Sequence, residues 1–198
     1  MANTIVFYSP KGGQGKTTLA INYALWSGSD YYTNDFLSGT QDLFEEHFEK
    51  GRFHTICPED TELKIKASSV FDFGGWIDGK IPAIVKNADL CVIPISYQSL
   101  ADLRPLFIVV ETISKLNANI AIVINNTKKD FLEELENGIN QTFNNKYPIK
   151  IVKQSSYMTY LVNEGRTPFE LEERGALKKA LDSIQGQLSE FFNFIRKY

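Results

Sequence analysis

Short apolar runs alternate with longer amphipathic segments along the chain. Continuous apolar runs at 4–8, 89–95 and 118–124 predict strands covered on both faces, as in a parallel sheet. Shorter runs predict further strands at 31–34, 68–73 and 149–153. The segment 51–66 predicts only irregular structure with a short strand or two. Strands alternating with helices predict a doubly wound, mostly parallel α/β sheet of about six or more strands, with helices on both faces.

Apolar residues spaced three and four apart predict the helices between these strands. The predicted helices lie at 16–26, 40–50, 81–87, 105–116 and 130–145, with another near the end of the chain. In the second of them, Leu43, Phe44 and Phe48 are expected to face inward and the acidic side chains to face solvent. Asp130 and Glu133 have the spacing of a capping box, which would open the helix at residue 130.

A glycine-rich segment, residues 10–18, follows the first apolar run and leads into the first predicted helix. A strand, a glycine-rich turn and a helix in this order point backbone N–H groups and the positive end of the helix dipole at one spot, which suits a polyphosphate. Lys16 is expected to reach the β- and γ-phosphates, and the Thr17 hydroxyl to ligate Mg²⁺. Because Lys16 would project to ligand rather than to core, Lys16→Ala is not expected to unfold the chain.

The segment departs from the strict phosphate-loop motif at one position. The motif requires glycine five residues before Gly15, and that position holds Pro10, which is followed by Lys11. The run Lys-Gly-Gly-x-Gly-Lys-Thr-Thr resembles the deviant Walker A motif of the ParA/MinD ATPases, and Lys11 corresponds to the signature lysine of that motif. A solubility role is the alternative for Lys11. The resemblance implies that ATP is bound by Lys11, Gly12, Gly13, Gln14, Gly15, Lys16, Thr17 and Thr18.

Three positions outside the loop match the pattern of this family in part. Asp35 follows the second predicted strand, where the family has an Asp-x-Asp pair whose first member is replaced here by Thr33. Asp72 lies at the end of an apolar strand before a Gly-Gly pair and resembles a Walker B carboxylate, which holds the Mg²⁺ shell through water. Asn125 ends another strand, and in parts of the family such an Asn contacts adenine. The alternatives are a helix cap or surface carboxylate for Asp35 and a turn residue for Asn125.

The resemblance also implies a mechanism, which is slow, Mg²⁺-dependent hydrolysis of ATP to ADP and phosphate, gated by formation of a homodimer. The implied catalytic residues are Lys11, Lys16 and Asp35. Lys16 neutralises the phosphates in its own subunit, Asp35 lies near Mg²⁺ and orients the attacking water, and Lys11 reaches the nucleotide of the partner subunit. Because phosphoryl transfer depends on positioning and charge neutralisation, a cation supplied in trans couples assembly to turnover.

The C-terminal region carries two further patterns. Residues 157–165, with Pro168 and Phe169, resemble the helix and loop of the family that close over the base. The last predicted helix has a stripe that is expected to dock on the core: Leu177, Leu181, Ile184, Leu188, Phe191 and Ile195. A membrane-anchoring tail would need this face free and many flanking basic residues, and only Arg196 and Lys197 follow it.

Length and composition fit one soluble domain covering residues 1–198, similar to the small, single-domain (ParF-like) partition ATPases. A cytoplasmic, nucleoid-associated protein is therefore expected. Cys91 lies in an apolar run and is expected in the core, while Cys57 precedes a proline in a loop; their spacing matches no metal or redox pattern. The formal net charge is −3, with a small basic excess after residue 114.

Three functions remain open at this point. The first is plasmid or chromosome segregation, in which the ATP-bound dimer binds DNA non-specifically and a centromere-bound, ParB-like adaptor stimulates hydrolysis. The second is a MinD-like or cargo-positioning ATPase that acts at a membrane, without an integral membrane segment, or on a protein complex. The third is a metabolic or metal-delivery ATPase, although paired cysteine ligands are missing from the sequence. The candidate DNA contacts are Lys128, Lys129, Lys146, Lys150 and Lys153, for which solvated surface charge is the alternative.

Overall fold

The computed structural model describes residues 3–35, 39, 43–60, 62–74 and 79–198, and within them seven strands form one sheet. The strands are β1 (Thr4–Tyr8), β2 (Asp30–Thr33), β3 (Phe53–Thr55), β4 (Ser69–Phe73), β5 (Leu90–Ile95), β6 (Ile120–Asn125) and β7 (Ile149–Val152). Their order is β3-β2-β4-β1-β5-β6-β7, and every neighbouring pair is parallel. The predicted doubly wound α/β fold is confirmed.

Six helices have both ends within the described part of the chain; four lie between strands and two follow β7. They are α1 (Lys16–Ser27), α2 (Lys80–Asn87), α3 (Leu103–Ser114), α4 (Lys129–Thr142), α5 (Ser156–Asn163) and α6 (Gly175–Ile195). Short 3₁₀ turns lie at Glu45–His47, Leu100–Asp102 and Pro168–Glu170. None of the helices in these described ranges is both long and apolar enough to cross a membrane.

Two apolar layers cover the two faces of the sheet. Side chains of α1 and α6 pack on one face, against residues such as Phe7, Tyr31 and Val92. Side chains of α2, α3 and α4 pack on the other face, against residues such as Phe71 and Ile93. Burial on both faces explains why the inner strands are apolar at consecutive positions rather than at alternate ones.

Strand β1 lies at the point where the strand order changes direction. Strands β2, β3 and β4 lie on one side of it, and β5, β6 and β7 lie on the other. Phe7 is in register with Asp72 on one side and with Val92 on the other. In open α/β sheets, ligands bind in the crevice at the carboxyl end of such a strand. The fold therefore predicts a ligand site at the loop after Tyr8.

The structure, which describes residues 43–50 of the predicted helix at 40–50, corrects where that helix ends. Leu43 and Phe44 are α-helical, and the chain then tightens into a 3₁₀ turn at Glu45–His47. Phe44 and Phe48 are buried as predicted, but Leu43 is exposed. The chain becomes extended at Phe48, whose ring stacks on Tyr31 with 5.6 Å between centroids, and this docking ends the helical turn.

Two details of the later helices also differ from the predictions. Helix α4 begins at Lys129 after an extended Lys128 without a side-chain cap, so Asp130 lies inside the first turn and acts on the helix dipole instead of forming a capping box. In α6 the docking stripe is buried from Leu181 to Ile195, but Leu177 is 51% exposed. Leu177 lies in the first turn of α6, ahead of the residues that pack on the sheet.

Candidate nucleotide-binding site

The phosphate loop, defined here as residues 9–15, runs from the end of β1 to the start of α1. Gly13 and Gly15 have φ values of 76° and 77°, in the left-handed region that favours glycine. A Cβ atom on Gly15 would lie 1.9 Å from Nδ2 of Asn125, so glycine is required at this position by its backbone angle and by the available space. Gly15 is also the N-terminal cap of α1, which orients the helix dipole toward the loop.

Two side chains brace the loop against the sheet. Gln14 is only 7% exposed, and its Oε1 accepts a hydrogen bond of 2.7 Å from the backbone N–H of Ser96, just after β5. Asn125 Nδ2 donates to the backbone oxygen of Gln14 at 3.1 Å. Gln14 therefore turns its side chain into the protein, and Asn125 supports the backbone of the loop from the end of β6.

Lys16 and Asp72 form a buried ion pair beside the loop. Lys16 is the first residue of α1, and its Nζ donates to Oδ1 of Asp72 and lies 3.2 Å from Oγ1 of Thr17. Asp72 is completely buried, and its second oxygen, Oδ2, accepts a 2.7 Å hydrogen bond from the Tyr31 hydroxyl. Burial and the neighbouring Asp72 carboxylate raise the pKa of Tyr31 well above its usual value, so this hydroxyl stays protonated and donates.

A cleft of about 460 Å³ opens over the loop and Lys16. It is lined by Ser9, Pro10, Lys11, Gly12, Gly13, Gln14, Gly15, Lys16, Thr17, Thr18, Asn34, Asp35 and Gly74. Asn34 exchanges two hydrogen bonds with the backbone of Gly74, at 3.0 and 3.2 Å, and so ties the end of β2 to the end of β4. The structure thus brings Asp35 to the same cleft as Lys16 and Thr17.

Lys11 lies at the rim of the cleft, and its side chain is 45% exposed. Its amine forms an ion pair with the buried Asp102 of the same chain, whose Oδ2 accepts hydrogen bonds from the N–H groups of Gln98 and Ser99. Burial alone would raise the pKa of Asp102, but the hydrogen bonds from Lys11, Gln98 and Ser99 outweigh it and lower the pKa. Asp102 therefore holds Lys11 as a charged partner in the single chain.

A second pocket of about 250 Å³ adjoins the loop on the side of β6 and β7. Gly13, Gly15 and Thr18 line both pockets, and Asn125 and several residues of α5 complete the second one. The helix at 156–163 therefore lies beside the loop, and its role in covering a base stays a prediction.

Pro168 and Phe169 do not share that position, and this part of the prediction is corrected. Pro168 is buried, and Phe169 packs on Phe192 of α6 with 6.0 Å between ring centroids. Phe169 lines a separate cavity, together with Trp26 near the far end of α1. The Phe169 ring packs against the core, and the sequence resemblance alone does not show this packing.

The donor atoms at the loop fit a magnesium ion bound together with a phosphate. Thr17 offers a hydroxyl and Asp72 a carboxylate, and Mg²⁺ at phosphate sites takes one or two such oxygens besides phosphate and water. Within the described ranges no cluster of three or more His, Cys, Asp or Glu side chains could hold a metal alone. The residues therefore suit a metal that arrives with its ligand.

The five lysines proposed as DNA contacts do not form one patch. Lys128 and Lys129 lie at the start of α4, while Lys146 lies beyond its end, and a helix of 14 residues is about 21 Å long. The Lys150 amine lies 4.7 Å from the ring centroid of Phe194, and Lys146 lies over the Tyr147 ring. Lys146 therefore lies at the opposite end of α4 from Lys128 and Lys129, and DNA contacts by these lysines stay a prediction.

Three residues of the site were missed by the sequence analysis: Tyr31, Asn34 and Asp102. Tyr31 contacts Asp72 in β4 and Asn34 contacts Gly74 just after β4, and a single sequence carries no signal for which strand lies beside β2. The sequence carries a weak indication of Asp102. An acidic residue followed closely by a proline, here Pro105, is typical of the start of a helix.

The parallel sheet, with a phosphate loop leading from its central strand into a helix, defines an α/β fold of the P-loop NTPase type. Solved structures with this fold include MinD from Aquifex aeolicus, which is 19% identical with a TM-score of 0.62 over 96% of this chain and 98% of that one. A putative plasmid partition protein from Borrelia burgdorferi bound to AMPPNP is 14% identical, with a TM-score of 0.57 over 96% and 100% of the two chains. McdA from Cyanothece in complex with ATP is 16% identical, with a TM-score of 0.59 over 94% and 96%.

The chain therefore has the fold of the MinD and ParA ATPases, and the structural resemblance extends over nearly its full length. No protein-family model matches the sequence, and no curated protein matches it at a significant level.

Proposed function

We propose that the protein is a ParA/MinD-type ATPase of a single domain that binds ATP, dimerises with it and hydrolyses it slowly. The observation that carries the proposal is the convergence of Lys16, Thr17 and Asp72 at the N-terminus of α1, under a glycine loop with two left-handed residues. Nucleotide-bound structures of the same fold support ATP as the ligand.

In this proposal the backbone N–H groups of the loop and the Lys16 amine hold the phosphates of ATP. The Lys16 ammonium, which has three N–H donors, would turn from Asp72 toward the phosphates. Mg²⁺ would be held by the Thr17 hydroxyl and, through water, by Asp72, and it would neutralise charge that develops on the phosphates. Asp35, across the cleft, orients the attacking water.

Lys11 acts in trans in this proposal. A second lysine at the start of the loop is not needed in cis, because Lys16 already serves the phosphates. For Lys11 to reach a partner's nucleotide it must exchange Asp102 for phosphate, so ATP in the partner subunit supplies the free energy that opens the Lys11–Asp102 pair.

The cellular role that we propose is DNA segregation, with the ATP-bound dimer on non-specific DNA and a centromere-bound adaptor that stimulates hydrolysis. The fold of the Borrelia partition protein favours this role. Association with the nucleoid would follow from DNA binding. The second candidate is positioning of a membrane-linked or protein cargo, which the likeness to MinD and McdA favours.

One set of measurements separates these possibilities. Light scattering with a non-hydrolysable ATP analogue and Mg²⁺ should give the mass of a dimer, and with ADP the mass of a monomer. Retardation of random DNA only with the analogue would support segregation, whereas co-sedimentation with anionic lipid vesicles would favour the membrane-linked candidate. A chain that binds no nucleotide in the presence of Mg²⁺ would refute the ATPase proposal as a whole.

A further inference from the structure

Tyr31 contacts the Asp72 carboxylate from beneath the site. Both side chains are 0% exposed, and the Tyr31 hydroxyl donates a 2.7 Å hydrogen bond to Oδ2 of Asp72. Tyr31 is in register with Val70 on the neighbouring strand β4, so Asp72 is two residues further along the same face of the sheet. This diagonal separation is within the reach of a tyrosine but not of a smaller side chain.

The ring of Tyr31 is fixed where it lies. It packs against Phe48 and Phe53, with centroid distances of 5.6 and 5.1 Å, in the apolar layer under α1 and α6. A ring held on several sides offers its hydroxyl in one direction. The hydrogen bond to Asp72 is therefore preorganised by the core and does not depend on a ligand.

The two oxygens of Asp72 have different partners. Oδ1 faces Lys16, which lines the cleft, and Oδ2 faces Tyr31 in the core. When Lys16 moves to a phosphate, the hydrogen bond from Tyr31 remains and keeps the carboxylate from rotating. A buried carboxylate that can rotate loses a defined direction for its outward oxygen, and outer partners of this kind typically change metal affinity by about 10–100-fold.

We infer that Tyr31 is a positioning residue that orients the Asp72 carboxylate for Mg²⁺ when nucleotide is bound. The inference rests on the proposed function, because it assumes that a nucleotide and Mg²⁺ bind at the loop. It adds a residue to the site that is remote from the loop in sequence and does not line the cleft.

The test is Tyr31→Phe, which removes one oxygen and keeps the ring in the core. Tyr32→Phe is the matched control, since Tyr32 is the next residue of the same strand, is also buried, and donates its hydroxyl hydrogen bond to the Lys64 carbonyl at 3.0 Å, away from Asp72. Binding of a fluorescent, non-hydrolysable ATP analogue is measured as a function of free Mg²⁺, with a parallel series in EDTA.

For Tyr31→Phe the free Mg²⁺ at half-maximal binding should rise about 10–100-fold, while binding at saturating Mg²⁺ and in EDTA stays close to wild type. Tyr32→Phe should leave the Mg²⁺ midpoint unchanged. A folded Tyr31→Phe protein with a midpoint within twofold of wild type, or an equal shift in both variants, would overturn the inference. Wild type that binds no analogue would instead count against the proposed function.

A second comparison tests whether Tyr31 acts through Asp72. In the Asp72→Asn background the buried charge is gone, and there the change of Tyr31 to Phe should not move the Mg²⁺ midpoint further. A further rise in the double variant would mean that Tyr31 does not act through the Asp72 carboxylate, and the inference would fail.

Discussion

At the scale of single residues, the positive charge of Lys16 is balanced by a buried carboxylate, that of Asp72. Lys16 is buried against Asp72, whereas the sequence suggested a lysine that projects to ligand alone. Removing one partner of a buried ion pair typically costs about 3–5 kcal/mol, because the other charge is left in the core without compensation. Stability and ligand binding are therefore coupled at Lys16, and a single substitution there changes both.

Lys16→Ala is accordingly expected to abolish binding of a fluorescent ATP analogue and also to lower the unfolding temperature. Adding Asp72→Asn should recover much of the lost stability, because the uncompensated charge is removed, but it should not recover nucleotide binding. Thermal unfolding and analogue titration of both variants check this. A Lys16→Ala protein that is as stable as wild type would contradict the buried pair, and one that binds normally would contradict the site.

Gly15→Ala tests the geometry of the phosphate loop. Its positive φ costs a non-glycine residue about 1–2 kcal/mol, and the new Cβ would collide with the Asn125 amide, so reduced stability and weak nucleotide binding are expected. Gly51→Ala is the matched control, because Gly51 has a similar φ of 78°, no atom lies within 4 Å of a Cβ there, and it does not line the cleft. Chemical denaturation should show a stability loss in both variants, whereas analogue titration should show weak binding in the Gly15 variant only, and equal binding by both would refute this assignment.

At the scale of secondary-structure elements, the sequence identified most strands, because β1, β5 and β6 are covered on both faces and need apolar residues at consecutive positions. It also located Lys16, Thr17, Asp35 and Asp72 near one cleft. What it could not supply was contact between strands that are remote along the chain. The partner of Tyr31 lies on β4 and that of Asn34 just after it. The predicted helix at 40–50 ends before residue 48, because Phe48 is extended and stacks on Tyr31.

The central strand β5 offers a direct test of burial. Cys91 lies in it fully buried, and burial raises the pKa of its thiol to about 12, while Cys57 is exposed in a loop. The raised pKa means that Cys91 remains a thiol as the pH increases through 8, so it does not become the reactive thiolate. A disulfide reagent at about pH 8 should modify one cysteine in the folded protein and two after denaturation. Rapid reaction of both in the folded state would contradict the burial of β5.

At the scale of the whole molecule, the role of Lys11 distinguishes an ATP-dependent dimer from a monomeric phosphate-loop enzyme. The Lys11–Asp102 ion pair forms within one chain, so dimerisation with Lys11 acting in trans must break two such pairs, one in each subunit. Because the pKa of Asp102 is lowered, the pair contributes stability above the ordinary Asp value and loses it only as the pH falls through the lowered value. Between about pH 6 and 8 the ion pair should therefore stay charged, and dimerisation should have to break it at every pH in this range.

Lys11→Ala should keep nucleotide binding, since the loop amides and Lys16 remain, but it should lose the ATP-dependent dimer and most of the turnover. Lys115→Ala removes one exposed lysine remote from the cleft and should dimerise normally, which controls for the change in net charge. Light scattering with the non-hydrolysable analogue and a phosphate-release assay measure the two effects. A Lys11→Ala protein that dimerises and hydrolyses like wild type would exclude action in trans.

The central position of β1 has a consequence for how the protein is made on the ribosome. Thr4 pairs with Ser69, and Ile5 pairs with Leu90, so both neighbours of β1 are synthesised long after it. At about 5–20 residues per second, some 4 to 17 seconds pass between translation of Ile5 and of its second partner. During that interval an apolar strand that ends in the phosphate loop has no sheet to join, which makes the nascent chain a substrate for chaperones at the segment that later binds the ligand.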